Sequence, residues 1–403
     1  MTDRKLGPPP HRSAWLEVDL EAIRHNVAVI RALVGPAAVA AVVKADAYGH
    51  GSLRVADVLD GLVDALCVAT LDEAIALRAQ PRARVMLLYP VPATAAADAV
   101  AAGVELTIMS AADLKHLARV ARAEQPPVGL QLCVETGLGR GGLPLEDVVT
   151  VAAAAQTDPR FRLSGLWSHL ASPDDLDATA RQAERFRLVS QALRVAGLPV
   201  PARHLAASSA IFRQSTPPLE LVRPGLAVYG VLEAGLSLAG EAQTAATRLR
   251  PAMSLKARPV AISDIPAGAG VGYGSHWRAQ RSSRVAILPV GYADGYLRDA
   301  QPGASALVRG MPVPLVGVIS MDALAVDVSD LPGLDYGEEF VLLGRQEEAA
   351  ITAGELARAR NTIPWEVLSC MAARLDRVYY PQAGSAPSGR VTGAVPDMRR
   401  PTA

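Results

Sequence analysis

Between residues 37 and 230 short β-branched runs alternate with amphipathic or alanine-rich stretches, and nothing else in the chain restricts its fold so strongly. The runs fall at 37–45, 65–70, 84–90, 105–110, 128–136, 162–170, 202–208 and 219–222. Helical stretches lie between them, among them Asp72–Ala79, Ala93–Ala102, Ala111–Glu124, Leu145–Gln156 and Asp177–Ala196. Strands separated by helices cannot pair as hairpins and must run parallel. Eight of them predict an α/β chain with a (β/α)8 TIM-type barrel, an open doubly wound sheet being the competing arrangement. After about Gly240 the rhythm breaks into short strands split by Gly and Pro turns: Met253–Ile262, Arg284–Val290, Pro314–Val318, Ala323–Val328 and Phe340–Leu343. That pattern predicts a mostly β C-terminal domain. The expected division is 14–243 for the barrel and 244–383 for the β domain, with 1–13 and 384–403 as disordered tails.

Lys44 is the residue most out of keeping with its surroundings. Only four of the 40 Lys+Arg residues are lysines (Lys5, Lys44, Lys115 and Lys256), and this one stands at the end of the apolar run Ala37-Ala-Val-Ala-Ala-Val-Val-Lys44. A desolvated lysine amine gives up its proton readily and can condense with an aldehyde, which a guanidinium cannot do. The alternative is an amine that snorkels from the strand end into water.

Charge and composition remove several classes of function. Formal net charge is zero, which leaves no basic field for nucleic acid. No apolar stretch reaches the roughly 18 residues of a membrane span, and the N-terminus lacks the apolar centre of a signal peptide. The three cysteines, Cys67, Cys133 and Cys370, are far apart with no CxxC pair, which fits a reducing, cytoplasmic setting; Cys370 reads as buried in a helix. There is no HExxH, GxSxG or EF-hand pattern, and no metal is expected.

In a barrel of this type, reactive groups gather at the C-terminal ends of the strands. Lys44 and Tyr48 follow the first, Arg140 the fifth, His169 the sixth, and Ser208 and Ser209 the seventh. The eighth leads into Arg223-Pro-Gly225-Leu226-Ala-Val-Tyr229-Gly230, a glycine turn of the kind whose backbone N–H groups hold phosphate. An amine at one side and a phosphate cradle at the other suggest pyridoxal 5'-phosphate. Gly137-Leu-Gly139-Arg140-Gly141-Gly142 matches a dinucleotide fingerprint, but it belongs to the fifth β/α unit rather than the first and Pro144 follows it; Arg140 reads as an anion-binding side chain in a turn. Tyr273, in Gly272-Tyr273-Gly274, is either a solvated turn residue or an acid/base held by glycines.

Ala41-Val-Val-Lys44-Ala-Asp-Ala-Tyr48-Gly-His-Gly51, Thr136-Gly-Leu-Gly-Arg140, the Arg223–Gly230 segment, Val271-Gly-Tyr273-Gly274 and Gly291-Tyr-Ala-Asp-Gly295 together resemble bacterial alanine racemases, over about Ala14 to Tyr380. The resemblance implies a fold-type III pyridoxal phosphate enzyme, a homodimer with shared active sites that interconverts L- and D-alanine and supplies D-alanine for peptidoglycan. It places the first strand, Ala14–Leu20, in the β domain. It implies Lys44 as covalent anchor and one base, with Tyr273 of the partner subunit as the other. His169 would bond Tyr273 and be tied to Arg223, which would face the pyridine nitrogen. Tyr48, Ser209 and the backbone of Gly225 and Leu226 would hold the phosphate. Arg140 and the partner's Met321 backbone would hold the substrate carboxylate.

Four positions depart from the family pattern. Cys133 stands where a carbamylated lysine is common, so Arg140 would need chloride or another partner. Glu135 replaces an aspartate, Ser208 an asparagine, and Trp365 a phosphate-binding tyrosine, though its indole N–H can still donate. These changes keep open a broader racemase acting on serine or other small amino acids. A non-catalytic pyridoxal phosphate-binding homeostasis protein is the alternative of another class.

Overall fold

The computed structural model describes residues 12–78, 84–298 and 304–380. The expected tails therefore lie outside the described residues, apart from Arg12 and Ser13. The chain begins with β1 (Ala14–Asp19), whose last residue caps α1 (Leu20–Val34): the Asp19 carboxylate accepts the Ala22 N–H at 2.9 Å.

The eight barrel strands follow. They are β2 (Ala38–Val42), β3 (Ala65–Val68), β4 (Val85–Leu87), β5 (Leu106–Ile108), β6 (Val128–Cys133), β7 (Phe161–Trp167), β8 (Ala202–His204) and β9 (Leu221–Val222). Two parallel four-stranded sheets, β4-β3-β2-β9 and β5-β6-β7-β8, are joined by single bridges at Met86–Glu105 and Ala207–Arg223, which closes the cylinder. Helices cover the outside, so strands such as β3 and β6 are buried at every residue and read as unbroken apolar runs. The barrel replaces the open-sheet alternative.

The β domain is built on one mainly antiparallel sheet that includes β10 (Met253–Ala257), with Gly270–Val271 and Trp277–Arg278 forming a separate two-stranded pair. The expected single strand 253–262 is broken, and Ala261–Ile265 pairs instead with Ser283–Leu288. As the resemblance implied, β1 belongs to this sheet. It pairs antiparallel with β10 and parallel with Asp376–Tyr380, the last described strand. The segment Gly240–Arg248, at the expected domain boundary, is a helix packed on α1 and so belongs with the barrel. Among the described residues no helix is long and apolar enough to cross a membrane.

One local feature departs from expectation at the position that matters most. The first barrel strand stops at Val42, and Lys44–Tyr48 form a single turn in which Ala45, Asp46, Ala47 and Tyr48 all have φ between 52° and 54°. Four consecutive L-residues in the left-handed region cost about 1–2 kcal/mol each. The turn survives because its surroundings over-determine it. Ala45 N–H donates to Glu73 Oε1 at 2.6 Å, Ser52 N–H to Asp46 Oδ1 at 2.7 Å and Gly51 N–H to Asp46 O at 2.9 Å. Pro364–Ser369 packs against it so closely that a Cβ on Gly49 would lie 2.4 Å from Leu368 O.

Ala45 is exposed, so Ala45→Gly removes strain without opening a cavity. Less the entropy a glycine adds to the unfolded chain, it should stabilise the protein by about 0.5–1 kcal/mol. Chemical denaturation measures this. A loss of stability would mean that the turn is not strained at Ala45.

Candidate active site

A cavity of about 510 Å³ opens at the C-terminal mouth of the barrel. Lys44, Tyr48, Arg140, His169, Ser209, Arg223, Gly225, Leu226 and Trp365 all line it. The structure thus gathers nine of the side chains and backbone positions singled out from sequence, from six separate segments of the chain.

Lys44 stands at the strand end with its amine largely enclosed. Burial, and secondarily the positive charge of Arg140, lower its pKa below the ordinary lysine value, while Glu73 acts in the opposite sense. Tyr48 lies beneath it, buried, its ring 5.1 Å from that of Tyr229. A Cβ at Gly225 would come 2.5 Å from Tyr48 Oη, so only glycine lets this turn approach the phenol. His50 stacks on Tyr229 with ring centroids 4.4 Å apart, and burial holds it neutral with a pKa of about 4.

Arg223 is buried at the centre. Nη1 donates to His204 Nδ1 at 2.6 Å and to the His204 carbonyl at 2.8 Å, Nη2 donates to the Ser168 carbonyl at 2.6 Å, and the guanidinium lies 4.8 Å from the centre of the Trp167 ring. Desolvation brings its pKa down to about 10, which still leaves it charged at neutral pH. The histidine tied to Arg223 is therefore His204, not His169. His169 lines the cavity with its pKa held at about 3 by burial and by Arg223, Arg140 and Lys44, so its ring is neutral. Sequence reading passed over His204, which ends β8, while His169 lies just past the end of β7.

The cradle near Gly225 also differs from expectation. The Gly225 N–H is already engaged, donating to Ser208 Oγ at 2.9 Å, and the Ala227 N–H donates to the same oxygen at 3.2 Å. Ser208 thus holds the turn in shape. Leu226 opens the short turn Leu226–Tyr229, where an N–H has no intrahelical acceptor. Ser209 Oγ points into the cavity and donates to Glu233 Oε2 at 3.3 Å. Glu233, a carboxylate beside the cradle, was not foreseen.

Around Arg140, Glu135 takes the Gly137 and Gly139 N–H groups and fixes the glycine turn. The Arg140 guanidinium lies 5.9 Å from the Tyr89 ring centre. Cys133 is buried and its thiol is pushed up to about 12 by desolvation, so it offers Arg140 no charge. Cys370, expected to be buried, is exposed at the end of Pro364–Ser369.

Tyr273 and Met321 do not join the cavity within one chain. They are 73 % and 52 % exposed on the β domain, and Tyr273 borders a separate hollow with Val271, Val318 and Ser320.

Burying the Lys44 amine has a thermodynamic consequence. A lysine pKa that is lower in the folded state means that the folded protein binds fewer protons than the unfolded chain between the two pKa values. Stability then rises with pH across that window, and the full cost is felt below it. Lys44→Met should be more stable than the parent at neutral pH, with the difference fading as pH approaches about 10.4. Thermal unfolding at several pH values reads this; a variant less stable at neutral pH would contradict the depressed pKa.

The model "Alanine racemase, N-terminal domain" matches residues 18–233, and "Alanine racemase, C-terminal domain" matches residues 252–379. An alanine racemase from Desulfosudis oleivorans is 38 % identical over 388 residues, spanning 93 % of this chain and 98 % of its own. One from Mycolicibacterium smegmatis is 36 % identical over 389 residues, spanning 94 % of this chain and 98 % of its own. The crystal structure of alanine racemase from Streptomyces lavendulae superimposes with a TM-score of 0.84 at 34 % identity, covering 92 % of this chain and 98 % of that one.

Proposed function

The chain belongs to the alanine racemase family, and from that premise we propose how its residues interconvert L- and D-alanine. It is an isomerase with alanine racemase activity. The match of residues 252–379 to the family's C-terminal domain disfavours a non-catalytic homeostasis protein built from a single barrel.

The observation that carries the reading is the composition of the cavity at the barrel mouth. It sets an amine of lowered pKa, a buried guanidinium and a hydroxyl-and-backbone cradle around one space. That donor set suits pyridoxal 5'-phosphate. Lys44 would hold the aldehyde carbon. Tyr48, Ser209 and the Leu226 N–H would hold the phosphate, with the Trp365 indole near it. The Gly225 N–H is already committed to Ser208 and would contribute by shaping the turn. When bound, the cofactor supplies the electron sink that makes an amino-acid Cα–H acidic.

Inversion needs a proton removed from one face and returned on the other. Lys44, whose pKa is lowered by burial, serves one face. Among the described residues Tyr273, the group expected for the other face, is exposed on the β domain and outside the cavity, so a second copy would be needed to bring it there. We therefore read the working unit as a homodimer in which Tyr273 and the Met321 backbone of the partner subunit complete each site. Arg223 holds a fixed positive charge at the far side of the cavity, where it would keep the pyridine nitrogen from taking a proton. Arg140 would receive the substrate carboxylate, steadied by chloride or another partner, since neutral Cys133 cannot do so. The product D-alanine would feed peptidoglycan synthesis in the cytoplasm.

A chiral assay of L-alanine, L-serine and L-lysine with added pyridoxal phosphate tests the reading, with D-alanine expected as the main product. Tyr273→Phe should lower the rate by about 10²–10⁴ and suppress Cα proton exchange in one stereochemical direction more than in the other. An equal, small loss in both directions would remove Tyr273 as a base.

Glu233 sits where an anion must bind, and its carboxylate occupies the hydroxyl of Ser209. Glu233→Gln should tighten binding of pyridoxal phosphate, about tenfold by fluorescence titration, while pyridoxal without the phosphate binds both proteins alike. Equal affinity of both proteins for the phosphorylated form would show that Glu233 does not oppose the phosphate.

A further inference from the structure

A row of polar side chains crosses the apolar barrel interior from its floor to Arg223. At the floor, Arg84 and Arg162 flank Glu105 at 2.9 and 3.6 Å. Glu105 Oε2 accepts from Gln131 Nε2 at 2.6 Å, Gln131 Oε1 lies 2.9 Å from His204 Nε2, and His204 Nδ1 lies 2.6 Å from Arg223 Nη1. Glu105, Gln131, His204 and Arg223 are all buried.

The two ends of this row fix the position of every proton between them. A guanidinium only donates and a carboxylate only accepts. His204 must therefore present a bare Nδ1 to Arg223. A neutral ring then carries its hydrogen on Nε2 and donates it to Gln131 Oε1, which turns the amide nitrogen toward Glu105. No other orientation of ring or amide satisfies both ends, so the direction does not depend on how either was assigned. Desolvation and the Arg223 charge hold His204 well below the usual histidine range and keep it neutral.

The backbone is shaped to admit the row. Pairing of β6 with β7 slips between Leu130 and Gln131, so that Leu130 faces Leu163 but Gln131 faces Gly165, with Ser164 as the extra residue. A Cβ at Gly165 would fall 1.8 Å from Gln131 Oε1, and one at Gly129 would fall 2.7 Å from Ser164 Oγ and 3.0 Å from Glu105 Cγ. A bulge and two glycines at one level of a packed barrel make room for an amide and a carboxylate where apolar side chains would ordinarily fill the space.

We propose that Glu105 and Gln131 are positioning residues for Arg223. Through a one-way hydrogen-bond relay they lock His204 in the Nε2–H tautomer, and so keep an acceptor facing the guanidinium. Cut the relay, and His204 can place an N–H against Arg223, which then loses a partner and its fixed position. Glu105 reaches Arg223 only through Gln131 and His204, and its own charge is paired with Arg84 and Arg162. What this does to the reaction rests on the reading of Arg223 given above; the tautomer does not.

Ring ¹⁵N chemical shifts of the full-length, cofactor-loaded protein labelled at histidine test this, with His204→Asn identifying the signal. The wild type should show His204 as a single Nε2–H tautomer. Gln131→Leu should show mixed tautomers, with kcat lowered about tenfold or more and KM changed less than about threefold. If Gln131→Leu does not fold, Glu105→Gln fills the same space, allows the amide row to reverse, and should show the same mixture. An Nδ1–H or charged ring in the wild type overturns the proposal, as do unchanged ring signals or an unchanged kcat in the folded variant. A wild type that racemises nothing would instead defeat the functional reading, leaving the tautomer measurement on the same sample to decide the relay.

Discussion

The barrel's last seam is held by a buried positive charge. β8 and β9 meet through a single bridge between Ala207 and Arg223, and the Arg223 side chain then fastens to the carbonyls of Ser168 and His204 beyond β7 and at the end of β8. One residue thus braces this seam, alongside the Arg203–Glu220 pair, and lines the cavity. Removing a buried, multiply bonded guanidinium would cost about 3–5 kcal/mol, so its contribution to the site cannot be separated from its contribution to the fold. The elements around it follow from this. Ser208 shapes the neighbouring turn, and Trp167 lends its ring face to the charge.

Much of this was legible in the sequence, for a physical reason. Parallel strands buried on both faces must be apolar throughout, and eight such runs with helices between them admit few closures. The strand ends carry the chemistry, so Lys44, Tyr48, Arg140, His169 and Arg223 could be picked out by position. The left-handed turn after Lys44 could not: its residues are Ala, Asp, Ala and Tyr, with no glycine or asparagine to announce positive φ. Nor could the pairing of Arg223 with His204 rather than His169, because both histidines lie at or just past strand ends and only the packed geometry chooses between them. Gln131 did leave a signal, as the one amide in the run Val128-Gly-Leu-Gln-Leu-Cys133, but a polar residue in a buried strand names no partner.

Two features at opposite ends of the cavity bear on how it would hold an anion. Cys133, neutral because burial raises its thiol pKa, offers Arg140 no charge, and Glu233 places a carboxylate beside Ser209. One lies where a substrate carboxylate would sit and the other where a phosphate would. Lys44 and Arg223 line the same cavity apart from both. Affinity and chemistry are thus carried by separable parts of the same site.

The pairing of β1 has a further effect. β1 is hydrogen-bonded on one side to β10 and on the other to Asp376–Tyr380, so its parallel neighbour is made after every barrel strand. Until then one edge of β1 stays unpaired beside a barrel whose strands are all made. A chain truncated before Asp376 would therefore carry an open strand edge, a form suited to aggregation or to early disposal.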